Sequence, residues 1–463
     1  MNAESIVAWV NALEGASPNP LEPICDPTTL NFPETARKRR KISSQSLTSA
    51  TFAYIGAGAG EGTNTKSSPR KKPRLGSEDA VFNPDATPRP GSRSISPSAS
   101  VATSDTNSVS RSRSRTSSVK RQMMRLRLGE TGIDYQPLNE TTVPDVAKML
   151  FLTMTEYGRC QRILPDALKQ HITETLKMDE ILCRQWQYCF KTERDPADDL
   201  PGRIPSLEEI QTLLAMATEC ERHKHEEASW NAEVHLRLLH GVFRTLVGKQ
   251  YGEFNAMLCS TARPHADFRP ILSNSKMIDI CVYASLDQNN EIDAVAKFCR
   301  TAPTLSINHT DFEPLQLRPI ILSIETKKHG AESDKAQLQI GVWHAAQWNF
   351  LQWAVHEKFL QRRQGKGRES PLTTNEEAEV KTKTLTALSK LPFIPGIIIQ
   401  GNYWKLVIST YAEGKTRLWS GFVFGKTESL MDIYAIVAGV RELTAWGRDT
   451  YLPWFRENIL TLE

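Results

Sequence analysis

Pro319-Ile-Ile-Leu-Ser-Ile-Glu-Thr-Lys327 is the stretch that decides the fold: an apolar β-type run ending in an acid and a base two residues apart. Side chains alternate along a strand, so Glu325 and Lys327 share one face while Ile320, Leu322 and Ile324 bury the other. A second run upstream, Lys276-Met-Ile-Asp-Ile-Cys-Val-Tyr283, interrupts β-branched and aromatic residues with the single carboxylate of Asp279. Two strands that deliver acids to one sheet edge, with a lysine beside them, suggest a divalent-metal site.

The stretches around this pair extend the pattern. Ser206-Leu-Glu-Glu209 has the form of a capping box and predicts a helix reaching about Cys220. Glu226 to Phe243 then reads as a helix with the apolar stripe Trp230, Val234, Leu238 and Val242; Glu227 falls on that stripe and would face the sheet. Between the two charged strands lies a loop, Ser306-Ile-Asn-His-Thr310. Beyond Lys327, a turn at Gly330 leads to a helix from about Asp334 to Phe359, with Gln339 at the head of its apolar face of Val342, Trp343, Ala346 and Phe350. Strands follow at Gly396–Gly401, Tyr403–Thr410 and Thr416–Phe424, the last two joined by a turn at Ala412-Glu-Gly414. Helices at Leu430–Trp446 and Leu452–Leu460 come next, and the charged stretch Gln361–Lys383 reads as a surface loop.

The 463 residues exceed one ordinary domain, and 24% charged with 40% hydrophobic residues leaves ample material for a core. The formal charge of +4 hides an asymmetry: residues 1–128 hold 19 Lys and Arg against 10 Asp and Glu, leaving 38 against 43 for the remainder. From about Ala16 to Arg121, Ser, Thr, Pro, Gly and Arg dominate, a composition that cannot bury enough surface to offset its ordering entropy and is expected to be disordered. Two basic clusters stand within it, Arg37-Lys-Arg-Arg-Lys41 and Pro69-Arg-Lys-Lys-Pro-Arg74. Such peptides suit a nuclear import receptor or a nucleic-acid backbone, which places the protein in the nucleus; a solvated charge run is the plainer alternative. Ahead of the segment, Ile6, Val7, Trp9, Val10 and Leu13 mark a short amphipathic helix, either a docking segment or a solvated helix.

Order is expected from about Pro137. Helical spacings from Val143 to Phe190 (Val146, Met149, Leu150; Ile163, Leu164, Leu168, Ile172; Ile181, Leu182, Trp186) precede a charged linker, Lys191–Arg203. The eight cysteines are scattered without a CxxC pair or a zinc-type Cys/His spacing, and read as reduced intracellular thiols. No run approaches the ~20 apolar residues of a membrane helix, and Met1–Gly15 lacks the plan of a secretory signal. Neither His223 with His225 nor His235 with His240 has the i, i+4 spacing of helical metal ligands. His235 reads as structural; His309 could approach the site, but reads better as a satisfied loop histidine. The tryptophans at 343, 348, 353, 404 and 419 fall on apolar faces and read as core.

Helix with Glu227, strand with Asp279, strand with Glu325 and Lys327, helix with Gln339, strand: this order resembles the PD-(D/E)XK nuclease superfamily, and more narrowly its fungal nuclease-like domain proteins. Five segments carry the resemblance: Glu227–His235, Lys276–Asp279, Ser306–Thr310, Ile324–Lys327 and Gln339–Trp343. It implies a restriction-endonuclease-like α/β core, a mixed sheet flanked by helices, over residues 205–463, after a helical extension at 137–204 and a disordered leader at 1–136. It also implies roles. Asp279 and Glu325 would hold Mg²⁺ or Mn²⁺ with support from Glu227, Lys327 would orient or stabilise the attacking water, and Gln339 would position substrate or a ligand. Phosphodiester hydrolysis suits such residues, because a hard cation with oxygen ligands lowers the pKa of water and absorbs charge on the phosphate. Lysine beside two carboxylates keeps its charge unless desolvation wins, which favours electrostatic stabilisation over general-base action. One departure is that Ile278, not proline, precedes Asp279.

Each of these residues also has an ordinary reading. Glu325 with Lys327 would be an ion pair worth about 0–1 kcal/mol if exposed. Asp279 could satisfy a turn, Glu227 could cap or pair, and Gln339 could be a plain helix residue; Glu226 and Glu233 compete for the role of Glu227. At the level of function, the favoured expectation is a metal-dependent nuclease acting on DNA. The alternatives are an inactive nuclease-fold protein that binds nucleic acid or chromatin, and an interaction protein whose leader recruits partners.

Overall fold

The chain divides into two units, Met1–Thr106 and Asn107–Glu463. The computed structural model describes residues 118–192, 194–270, 277–286, 289–330, 333–364 and 372–460, all in the second unit. Both basic clusters and the amphipathic segment at Ile6–Leu13 lie outside the described residues.

Seven strands form one mixed sheet in the order β1-β7-β6-β5-β4-β3-β2. They are β1 (Ile133–Pro137), β2 (Phe254–Leu258), β3 (Ile280–Ala284), β4 (Ile320–Lys327), β5 (Ile394–Gln400), β6 (Tyr403–Ala412) and β7 (Lys415–Lys426). β4 with β5 and β1 with β7 are parallel pairs, and the others are antiparallel. Parallel neighbours require a long crossover. Between β4 and β5 it is supplied by two of the helices found among the described residues.

The α-helices are α1 (Val119–Leu128), α2 (Lys148–Gly158), α3 (Lys169–Thr175), α4 (Glu180–Trp186), α5 (Leu207–Arg222), α6 (Glu227–Trp230), α7 (Leu236–Phe243), α8 (Asn289–Thr301), α9 (Ser333–Gln364), α10 (Thr374–Ser389), α11 (Leu430–Trp446) and α12 (Leu452–Asn458). The β4–β5 crossover is α9 and α10. The first half of α9, through Leu338, Ile340 and Trp343, packs with Ile398 and Val407 on one face of the sheet. Ile433, Ile436 and Val440 of α11 join Ile324, Ile397, Leu406 and Ile408 in the core on the other. Gly396 permits the close approach on the α9 side, since a Cβ there would meet His344 Nε2 at 2.8 Å.

Local signals explain why the elements begin and end where they do. Ser206 and Glu209 form the expected capping box of α5, and Thr373 with Glu376 form another on α10. The β6–β7 hairpin turns through Glu413 (φ 53°) and Gly414 (φ 78°), two left-handed residues as a type I′ turn requires. Trp343, Trp348 and Trp404 are fully buried, as their apolar faces predicted.

Several expectations need correction. Folded structure begins before Pro137: α1 and β1 occupy residues given to the leader, and β1 completes the sheet beside β7. Gln361–Lys383 is no loop in its described parts, because α9 runs to Gln364 and α10 starts at Thr374. Helix α2 exists, but Val146 (57% exposed), in the 3-10 turn just ahead of it, and Met149 (75%) face solvent, while Phe151, Met154 and Tyr157 carry the buried face. Glu226–Phe243 is interrupted by a π-helical turn, Asn231–His235. The stripe Trp230, Val234, Leu238 and Val242 is buried as expected, and the wide turn brings in Asn231 and His235 beside it. The charged linker at Lys191–Arg203 is tied to the body of the fold, with Arg441 bonded to Asp198 Oδ2 at 2.9 Å and to the Leu200 carbonyl at 2.7 Å.

Candidate active site

Every one of the eight residues of β4 is buried, so the acid and base at its end have been carried into the sheet. Glu325 is 0% exposed and Lys327 9%. The Lys327 ammonium donates to Glu325 Oε1 at 2.6 Å, to the Thr326 carbonyl at 2.6 Å and to Glu227 Oε1 at 3.5 Å. The surface ion-pair reading of Glu325 and Lys327 therefore fails on burial: removing such a pair from water costs several kcal/mol per ion, by order of magnitude, before attraction offsets it.

Asp279 sits one residue ahead of β3, not within it. Ile280 pairs with Ile324, so one register step on Asp279 stands opposite Glu325. Its backbone N–H donates to the Ile324 carbonyl at 3.3 Å. Its Oδ2 accepts from the Thr326 N–H at 2.8 Å and the Thr326 hydroxyl at 3.0 Å. The middle residue of Glu-Thr-Lys thus orients the acid of the neighbouring strand. Gln339, on α9, donates through Nε2 to the Met277 carbonyl at 3.3 Å. It braces the segment that carries Asp279, and its Oε1 is buried without a hydrogen-bond partner among the described residues.

Glu227 opens α6, and its side chain, 36% exposed, stands at the mouth of the cluster. Its sequence rivals are placed elsewhere: Glu226 pairs with Lys328 at 2.9 Å, and Glu233 lies beside Cys220. The structure therefore brings Glu227, Asp279, Glu325 and Lys327 together and sets Gln339 behind them. The Ser306–Thr310 motif is a clamp for β4 instead of a site element. Asn308 donates to the carbonyls of Leu315 and Arg318 and accepts from the Ile320 N–H at 2.9 Å. His309 is buried edge-on against Trp343, ring centroids 4.4 Å apart, and burial drops its pKa to about 3. It and the equally buried His235 are neutral structural groups.

Three carboxylates around one ammonium, largely out of water, leave an excess of negative charge. Burial first, then Asp279, pushes Glu325 well above the usual carboxylate range, against the pull of Lys327. Burial likewise raises Glu227. Desolvation pulls Lys327 down, but Glu325, Glu227 and Asp279 outweigh it and the net shift is upward. Both members of the buried pair thus move toward holding protons, as expected of a site short of positive charge. Glu325 Oε2 is buried with no hydrogen-bond partner among the described residues. An oxygen-only donor set with surplus negative charge and an unsatisfied carboxylate oxygen fits a hard divalent cation.

One basic residue was missed from sequence. Lys405 on β6 pairs in register with Ile398, which pairs with Glu325, so it stands two strands from Glu325 on the same face. Its ammonium donates to Gln400 Oε1 at 2.6 Å, and burial lowers its pKa. The signal was a charge inside the apolar run Tyr403-Trp-Lys-Leu-Val407.

A mixed sheet in which an inner strand ends in an acid and a lysine on one face, opposite an acid from the adjoining strand, is consistent with a restriction-endonuclease-like α/β fold. The sequence model of the PD-(D/E)XK nuclease superfamily matches residues 172–452, more than half of the chain, and the protein belongs to that superfamily. Its nucleases typically use divalent metals. No curated protein and no solved structure matches the chain.

Proposed function

We propose that the protein is a Mg²⁺- or Mn²⁺-dependent nuclease that hydrolyses phosphodiester bonds, with DNA as substrate. The observation that carries this reading is the convergence of Asp279, Glu325 and Glu227 on one side of the sheet around Lys327. Asp279 and Glu325 would hold the cation, with Glu227 at its exposed side. When bound, the cation supplies an acidified water and a sink for charge on the phosphate.

The protein's own groups do the rest. Thr326 fixes the Asp279 carboxylate, and Gln339 holds the backbone that leads into it. Lys327, with its pKa raised, is an ammonium at neutral pH and cannot accept a proton. It acts as a donor and a fixed positive charge. Its three bonds are unequal, and the one at 3.5 Å to Glu227 is the weakest to exchange for a substrate phosphate oxygen. Lys405 offers a second charge on the same face for the nucleic-acid backbone.

The basic leader supports a second reading, in which the fold binds nucleic acid without cutting it. One experiment separates the two: purified protein with plasmid and single-stranded DNA, Mg²⁺ or Mn²⁺, beside Asp279→Asn and Glu325→Gln. Cleavage by the parent alone is the expected result. Identical products from parent and variants would overturn the nuclease reading. Metal-stimulated binding that Asp279→Asn abolishes, without cutting in any sample, would establish the second. Nuclear import through Arg37–Lys41 and Pro69–Arg74 completes the proposal, because those clusters are the compositional sign of where the substrate is met.

A further inference from the structure

We propose that Cys220, His225 and Glu233 form a zinc site, separate from the carboxylate cluster, that locks the start of the helix bearing Glu227. One ligand-capable atom from each of the three lies within 4.8 Å of the other two. Cys220 is fully buried near the end of α5, His225 is half-buried in the connection to α6, and Glu233 opens to solvent from the π turn. Thiolate, imidazole and carboxylate in one group is a donor set for Zn²⁺ rather than for Mg²⁺, which avoids sulfur.

The backbone builds this meeting deliberately. At the end of α5, the Lys224 N–H reaches the Glu221 carbonyl at 3.2 Å and the His225 N–H the Cys220 carbonyl at 2.9 Å. This is a Schellman cap, and the residue it needs in the left-handed region is Lys224, at φ 51°, where glycine would be strain-free. The cap folds His225 back beside Cys220. From the other side, the π turn at Asn231–His235 presents Glu233, and turns of this kind mark functional positions more often than chance.

Two observations separate the cluster from a chance contact. His225 Nδ1 is buried and has no hydrogen-bond partner among the described residues, an unsatisfied group that a metal would complete. Cys220 Sγ lies 3.8 Å from Glu233 Oε2. A tetrahedral zinc with Zn–S of about 2.3 Å and Zn–O of about 2.1 Å sets its sulfur and oxygen ligands roughly 3.6 Å apart, so this pair needs almost no movement, and the imidazole has to close in from within 4.8 Å. Water from the open side supplies the fourth ligand. Binding forms the Zn–S bond and releases the thiol proton to solvent. Glu226 and Glu227 follow His225 directly, and they hold Lys328 and Lys327 respectively. Zinc therefore fixes the entry of α6 without entering the chemistry.

The test uses the full chain, stripped with chelator and titrated with Co²⁺ as a spectroscopic stand-in and with Zn²⁺. One equivalent of Co²⁺ should give a thiolate-to-metal charge-transfer band that Zn²⁺ displaces. The band should persist in Asp279→Asn/Glu325→Gln, which empties the carboxylate cluster, and in Cys259→Ser. It should vanish in Cys220→Ser and in His225→Ala, with Zn²⁺ affinity falling by more than the roughly 10–100-fold that loss of an outer partner costs. Circular dichroism of the stripped variants should match the stripped parent, and Cys220→His, which restores a nitrogen ligand, should bind Zn²⁺ without the band. A parent with no band, a band unchanged in Cys220→Ser, or one lost on emptying the carboxylate cluster would each overturn the proposal.

Discussion

Lys327→Met keeps the length of the side chain and removes its charge from the centre of the cluster. The parent holds Lys327 at 2.6 Å from Glu325, which is 0% exposed, and at 3.5 Å from Glu227. Breaking one partner out of a buried pair costs about 3–5 kcal/mol, because the remaining charge is left uncompensated. At roughly 2–4 °C per kcal/mol for a domain of this size class, the thermal midpoint should drop by about 6–20 °C without metal. The sign follows from the shifts. Lys327, raised above 10.5, contributes stability that is present below that value and lost above it. Glu325, raised above 4.5, has the same sense in a lower window: its stability contribution is present at low pH and is lost as pH climbs through its shifted value. Between these limits Lys327→Met removes the stabilising member and leaves the destabilising one. The deficit should grow toward about pH 8 and shrink toward about pH 3, below the unfolded value, where Glu325 is protonated in folded and unfolded chains alike. Thermal unfolding by circular dichroism in chelator, at both pH values, reads it directly. A deficit under about 1 kcal/mol that does not change with pH is the signature of a solvated pair, and would refute the argument.

Glu325→Gln should behave oppositely in stability, retaining an acceptor for Lys327 while shedding a buried charge; its midpoint in chelator at neutral pH should equal or exceed the parent's, with cleavage lost, and a large destabilisation would contradict the surplus of negative charge. Gln339→Ala releases the segment before Asp279, so the Mg²⁺ concentration for half-maximal cleavage should rise about 10–100-fold with little change at saturating metal; an unchanged metal dependence would remove Gln339 from the site. Lys405→Met should weaken DNA binding alike for all sequences and reduce the salt slope by about one, measured by fluorescence anisotropy across salt concentrations; an unaltered slope would take Lys405 off the substrate path. Neutralising Arg37–Lys41 and Pro69–Arg74 together should leave a fluorescent fusion in the cytoplasm, and undiminished nuclear accumulation would sink the import proposal.

How much of this was legible follows from the range of each signal. Glu325 and Lys327 were readable because strand alternation is local: two residues apart must share a face wherever the strand goes. The hairpin at Glu413 and Gly414 and the capping box at Ser206 were readable for the same reason. β1 was not, because its edge position is secured by β7, whose register partner Thr416 lies far along the chain from Ile133. Its five residues, Ile-Asp-Tyr-Gln-Pro, carry little β signature of their own. The buried face of α2 was misplaced because Val146 and Met149 are as apolar as Phe151 and Met154, and only the position of β7 and α11 decides which pair is covered. The role of Thr326 was invisible on different grounds. It faces away from Glu325 along the strand, yet its N–H and hydroxyl close on Asp279, a contact set by how β3 ends instead of by any pattern in β4.

That contact bears on what the Glu-x-Lys spacing accomplishes. With the intervening residue turned to the other acid, one strand end supplies a carboxylate, the group that orients the second carboxylate, and the ammonium that tempers both. The arrangement is stable only when something positive sits among the carboxylates. Protons serve at low pH, since burial and the neighbouring charges push Glu325 and Glu227 upward, and under the proposed function a divalent cation serves by displacing them. Metal affinity should therefore climb with pH through the raised carboxylate values and level off above them, while the lysine stays charged throughout. Isothermal titration with Mg²⁺ in buffers of differing ionisation enthalpy would count the protons released. Release that grows as pH falls toward the raised carboxylate values and vanishes above them is the expected outcome; no release at any pH would mean that the carboxylates are already ionised, and that the burial of Glu325 is offset by something other than the cation.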